Sequence, residues 1–229
     1  MDLLLEYREQ LLAGLVTTVQ LALASLVLSV TMGLSGAWAK LSASRAANAV
    51  AGAYTTVVRG VPDLVLIMLA FFGGQVTVNA IGTATGLWDY VEISQFAAGA
   101  LTIGIIFGAY FTETFRGAIL AIPRGQIEAG ISTGMSRPLL FRRIIWPQMV
   151  RYALPGFGNN WLVQLKTTAL VSVIGLQDLV YNAFAAGRST GALFTFMAAA
   201  FVIYLALTAV SDLGLRALER RYSRGVARA

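Results

Sequence analysis

From Leu11 to Ala39 the chain runs without a charged side chain. A helix needs about 20 mostly apolar residues to cross ~30 Å of hydrocarbon at 1.5 Å per residue, and this run exceeds that. Four more segments have the same character, at roughly 54–75, 96–120, 153–175 and 192–215, and the first run occupies about 12–39. Their apolar residues are continuous and lack a period of two. The segments therefore predict helices, since strands of a membrane barrel alternate between lipid and lumen. The expected fold is an all-α integral membrane protein with five transmembrane helices. No linker rich in proline, serine or glycine and no internal repeat divides residues 1–229, so a single domain is expected.

Composition agrees with lipid as the solvent. Charged residues make up 12% of the chain and hydrophobic ones 57%, with a mean hydropathy of +0.72, against about 25% charged in soluble domains. There is no cysteine and no histidine. Disulfides, thiolate or imidazole metal sites and nucleophiles paired with histidine are thereby excluded. The net charge of +6 could signal nucleic acid, but the distribution of the basic residues gives a simpler account. Lys40, Arg45 and Arg59 lie between the first two runs, and Arg116, Arg124, Arg137, Arg142, Arg143 and Arg151 fall around the third connection. Arg216, Arg220, Arg221, Arg224 and Arg228 form a basic tail, whereas residues 76–94 contain no basic residue at all. The positive-inside rule then places the N-terminus outside and the C-terminus in the cytoplasm. No nucleic-acid partner is needed. Residues 1–11, with three acidic residues against Arg8, lack the positive start of a cleaved signal and predict a short amphipathic segment on the membrane surface.

The apolar pattern is interrupted longest at 121–152. There "QIEAGISTG" predicts a short helix after Pro123-Arg124-Gly125, with Gly134 as its stop. A second piece is predicted from Pro138 to a break at Pro147. A basic helix-turn-helix resting on lipid headgroups would explain the arginines, but it needs neither the Glu-Ala-Gly triplet nor the glycines. The pattern Glu128-Ala129-Gly130, three residues, Gly134, nine residues, Ile144, then Pro147 resembles the EAA loop of ABC importer permeases. Gly130 stands where that pattern has a second alanine, and Trp146 where it has leucine. The stretches "RGVPDLVLIMLAFFG", "GAYFTETFRGAILAIPRGQIEA" and "RYALPGFGNNWLVQLKTTALVSVIGLQDL" extend the likeness over nearly the whole chain. They resemble permeases of the polar amino-acid family, most closely the Q-type subunits of importers for histidine, lysine, arginine and ornithine, with opine permeases as near relatives.

This resemblance implies a type I ABC importer permease in the bacterial inner membrane. It implies that Gln126–Gly134 is a coupling helix seated in a cytoplasmic ATPase, with Glu128, Ala129, Gly130, Gly134, Ile144 and Pro147 as the coupling residues. Small residues there would allow close approach of the ATPase. The implied partners are a homologous or identical second permease subunit, two ATPase subunits, a periplasmic solute-binding protein and membrane lipid. No cofactor is expected in this chain: its two lysines, Lys40 and Lys166, lack the glycines of a phosphate-binding loop, so ATP and Mg belong to the ATPases. The rival readings are a stand-alone secondary transporter or channel, which would need a coupling-ion site and usually more spans, and a membrane-embedded enzyme.

Charged residues within apolar runs cost about 2.5–3.5 kcal/mol each on insertion scales, so each needs a partner or a task. Asp63 lies four residues after Arg59, which predicts a local ion pair or a gate. Glu113 and Arg116 share one helix face and predict an intrahelical pair or solute contact. Lys166 has no acidic residue within a turn and is left to meet a carboxylate elsewhere. Asn160, Gln164 and Thr167 mark one stripe, which fits either a solute pathway or polar glue between helices. Asp178 fits an external cation or protein contact, or a plain helix-end carboxylate.

Overall fold

The computed structural model describes residues 2–222. Met1 and residues 223–229, including Arg224 and Arg228 of the basic tail, lie outside the described residues. Nine helices follow one another among the described residues: α1 Asp2–Glu6, α2 Arg8–Leu41, α3 Arg45–Gly60, α4 Asp63–Thr85, α5 Gln95–Leu120, α6 Arg124–Ser132, α7 Arg137–Ile174, α8 Leu179–Thr190 and α9 Leu193–Tyr222. Four of them, α2, α4, α5 and α9, are each long and apolar enough to cross a membrane, and α7 with α8, bent by 52°, makes a fifth if the pair counts as one broken span.

The core is built around α5. Ile103, Ile106, Phe107 and Phe111 on this helix are buried almost completely. The longest contact is with α2, where Gly33 meets Phe111. Gly14, Thr18, Ala22, Ser25, Ser29 and Gly33 of α2 are all buried, Gly14 and Thr18 against α8 and Ser25 and Ser29 against α7. They recur every three or four residues and so form one stripe of small side chains. Lipid gives no hydrophobic drive for helices to associate, so such stripes matter because they let backbones approach and dispersion contacts accumulate.

Two sequence-based boundaries are corrected, and a third segment gains its contacts. The short helix α1 leads into α2, where Leu11 N–H bonds to Tyr7 C=O at 3.0 Å. Tyr7 then packs edge-on against Phe196 with ring centroids 5.4 Å apart, beside Leu11, Leu179 and Ala183. The second apolar run, expected at 54–75, is split at Pro62. Proline disfavours helix at the residue before it and has no N–H, so α3 ends at Gly60. The spanning helix α4 starts at Asp63 and continues through Thr85, well into the stretch expected as an outer loop. The second correction concerns Pro147, which does not break the chain. A wide turn over Phe141–Ile145 precedes it, and α7 runs on to Ile174. The i→i+5 geometry of that turn, with Trp146 N–H bonded to Phe141 C=O, re-routes the hydrogen bonds around a residue that has no donor. The stretch expected as the 121–152 loop consists of a nine-residue helix followed by the first turns of α7.

Candidate coupling and translocation sites

Helix α6 stands off the bundle on a rigid mount. Ile122 and Ile127 flank its N-terminus and enter the main apolar cluster together, a hydrophobic staple that fixes the entry angle. Its C-terminus closes with Gly134 at φ +77. Gly134 N–H bonds to Ile131 C=O at 2.9 Å and Met135 N–H to Gly130 C=O at 3.1 Å. These are the two bonds of a Schellman stop, which needs a left-handed residue at that position. A side-chain bond from Gln148 Nε2 to Gln126 Oε1 at 2.6 Å ties α6 to α7.

The six residues of the loop pattern separate into two groups. Glu128, Ala129, Gly134 and Pro147 are exposed, as is Ile131 beside them. Gly130 is buried, and a Cβ there would come within 2.5 Å of Leu140 Cδ1 and 2.7 Å of Ile144 Cδ1. Gly130 and Ile144 therefore face each other within the chain. The expectation that Gly130 opens room for an outside partner is corrected: it opens room for α7.

A charged cluster joins α2, α3 and α5. Lys40 Nζ donates to the Glu113 carboxylate and to Thr55 Oγ1, the latter at 2.6 Å, and Arg116 Nε reaches the second Glu113 oxygen at 3.1 Å. The Glu113–Arg116 pair is as expected. Lys40, 73 residues away in sequence, was not foreseen, because no local spacing announces it. Asp63 does not pair with Arg59. The break at Pro62 lies between them, and the Arg59 guanidinium sits 5.1 Å from the Tyr110 ring centroid, a cation–π contact. Nearby, Tyr54 Oη donates to Ile105 C=O at 2.5 Å.

The polar residues of α7 do not form one open face. Gln164 is wholly buried and its Nε2 donates to Ser25 Oγ at 3.0 Å and Ser29 Oγ at 3.1 Å on α2. Asn160 Nδ2 donates to Thr114 Oγ1 on α5 at 3.0 Å. Thr167 is buried and donates to Val163 C=O at 3.1 Å within its own helix. Asn160 and Gln164 thus bond to neighbouring helices, whereas Thr167 bonds within its own. The open side of α7 carries Asn159, Val163 and Lys166 instead, all exposed. Asp178 is fully buried and its carboxylate accepts Tyr181 N–H at 2.8 Å, so it caps α8 and is closed to any external cation.

Residues 25–224 match the family described as binding-protein-dependent transport system inner membrane component. The histidine/lysine/arginine/ornithine transport system permease protein HisQ of Salmonella typhimurium is 51% identical over 219 residues, 96% of each chain. The octopine transport system permease protein OccQ of Agrobacterium tumefaciens is 44% identical over 211 residues, covering 92% of this chain and 89% of its own. Among solved structures, an amino acid ABC transporter crystallised with histidines is similar at a TM-score of 0.81 and 32% identity, over 95% of this chain and 96% of the other.

Proposed function

Since the chain belongs to the family of binding-protein-dependent transport system inner membrane components, an ABC importer permease, we propose that it carries basic amino acids across a bacterial inner membrane. Histidine, lysine, arginine and ornithine are the solutes named for its 51% identical relative. In this reading the chain spans the membrane five times with its N-terminus outside, pairs with a second permease subunit, and receives solute from a binding protein. ATP and Mg are held by two separate ATPase subunits, and this chain performs no covalent chemistry.

The observation that carries the proposal is α6. Glu128 and Ala129 are exposed on a nine-residue helix whose other edge, Ile127 and Gly130, is seated in the bundle beside the preceding Ile122. A rigid helix fixed on one side and free on the other passes a push from an ATPase into α5 and α7 without dissipating it in loop motion. Lys166 and Asn159 on the open side of α7 are the solute-path residues of this reading, because they are polar, sit within a span and are exposed, with no ion pair to Lys166 among the described residues. Glu113 and Asp63 flank the inner end of the route. The test is a reconstituted complex with its ATPase. Glu128→Arg and Ala129→Trp, both at exposed positions, should leave the subunits assembled in the membrane while transport and binding-protein-stimulated ATP hydrolysis fall at least tenfold. Unimpaired transport in both variants would reduce α6 to an interfacial helix.

A further inference from the structure

The connection between α4 and α5 is a built pocket. It lies at the start of α5, while α6 follows the end of that helix, roughly 39 Å away at 1.5 Å per residue. Two carboxamides one turn apart on α4 hold it. Gln75 Oε1 accepts Ile93 N–H at 2.8 Å and Asn79 Oδ1 accepts Val91 N–H at 2.7 Å. Both amide nitrogens donate back to Val91 C=O. The side chains thus stand in for backbone partners and pin residues 91–93 to α4. Before this clamp the chain closes over α4, with Trp88 lying so tightly on Gly82 that a Cβ there would come within 2.3 Å of the indole nitrogen.

A cavity of about 340 Å³ results, lined by Asn79, Thr83, Trp88, Asp89 and Tyr90 among others. Its rim is exposed and partly apolar: Tyr90 and Leu87 are each 74% accessible. Asp89 and Glu92 are exposed, and no ion pair among the described residues involves them. The sequence offers them no local counter-charge, since no lysine or arginine occurs between Arg59 and Arg116. A carboxylate beside aromatic faces, in a preformed cavity, is the chemistry that receives a guanidinium or ammonium group. The apolar rim around it is how interface anchors are shielded from water.

We infer that the Trp88–Asp89–Tyr90 pocket receives an arginine or lysine side chain projecting from the docking face of the solute-binding protein. This rests on the permease reading. A free cationic solute is the less suitable occupant, because the pocket is rimmed by exposed apolar groups and fixed to a loop at the end of the bundle. An incoming surface would cover Leu87 and Tyr90 together, whereas a small solute would leave both in water.

The experiment titrates the binding protein, loaded with solute, against the complete reconstituted complex and reads ATP hydrolysis. Asp89→Lys should raise the half-saturating concentration of binding protein tenfold or more, and Asp89→Asn should raise it less. Raising the salt should weaken the unsubstituted complex toward the Asp89→Asn value, as expected for an exposed charge contact. Replacing the matching basic residue of the binding protein by glutamate should restore Asp89→Lys selectively. An unchanged half-saturating concentration in both Asp89→Lys and Tyr90→Ala would overturn the inference. So would binding of free L-arginine to the purified complex that Asp89→Lys abolishes, since the pocket would then be a solute site. Failure of the unsubstituted complex to respond to any binding protein would instead remove the permease reading itself.

Discussion

At Gly134 the backbone sits at φ +77, so any L side chain there costs roughly 1–2 kcal/mol before a partner is considered. Gly134→Leu therefore cannot separate a docking role from a capping one, whereas Gly134→Asn, with a side chain that tolerates the left-handed region, should keep transport near normal. Gly130 differs, because its constraint is space. A Cβ would press on the terminal methyls of Leu140 and Ile144, which can rotate away, so Gly130→Ala should be nearly silent in both transport and thermal stability. Gly130→Leu should uncouple ATP hydrolysis from transport, and adding Leu140→Ala should restore much of the coupling by returning the volume. The Gln164 contacts lead to a similarly specific expectation. Ser25 and Ser29 keep their own bonds to Ala22 C=O and Ser25 C=O when the amide is removed, and interhelical side-chain bonds in membranes average about 0.6 kcal/mol. Gln164→Leu should then lower the melting temperature of the purified subunit slightly and leave the half-saturating solute concentration unchanged. A large loss of solute affinity would return Gln164 to the pathway.

Between elements, the contact with most at stake is Lys40 to Glu113. It closes the end of α2 onto α5, and the two side chains are 15% and 24% accessible, so the pair is largely but not fully desolvated. Removing one partner from a buried pair costs about 3–5 kcal/mol because the other charge is stranded. Partial exposure, and Arg116 as a second cation on Glu113, place this pair below that range. Lys40→Met and Glu113→Gln should each destabilise the purified protein, and the double variant should be no less stable than the worse single one. Additive losses in thermal melting would mean the pair is not coupled. This contact also shows what a sequence conceals. Spans of twenty apolar residues are legible because hydrocarbon thickness fixes their length, and the α6 signature is legible because glutamate, alanine and glycine occur at set spacings. Ends are harder. Pro62 and Pro147 are the same residue type within apolar surroundings, yet one separates two helices and the other sits inside one. A wide turn upstream absorbs the missing donor at Pro147, and Pro155 is carried within the same helix without one, so proline alone does not mark an end. Helix facing is also hidden: the Asn160–Gln164–Thr167 spacing places the three on a common stripe, but only the neighbours decide that the stripe points inward.

For the whole molecule, the arrangement with respect to the membrane is the property on which every functional assignment depends. Tyr7, near the N-terminus, reaches Ser189 at 3.4 Å, so the chain start and the α8–α9 corner lie on one side of the bundle. The clamped α4–α5 connection belongs to that side by helix parity, since α2 and α4 are spans of opposite direction. The basic residues Arg124, Arg137, Arg142 and Arg143 gather at the other end with α6, where the positive-inside rule expects the cytoplasm. Since the chain has no cysteine of its own, single cysteines report side without background. Ala84→Cys and Ser189→Cys, both exposed, should react in intact cells with a membrane-impermeant thiol reagent. Ala43→Cys and Ser136→Cys, exposed on the other side, should react only after the membrane is opened. Reaction of Ser136→Cys in intact cells would invert the chain and place α6 beyond the reach of any cytoplasmic ATPase. Protection of Ala43→Cys and Ser136→Cys by the ATPase in opened membranes, at Ser136 more than at Ala43, would go further and locate the ATPase on α6.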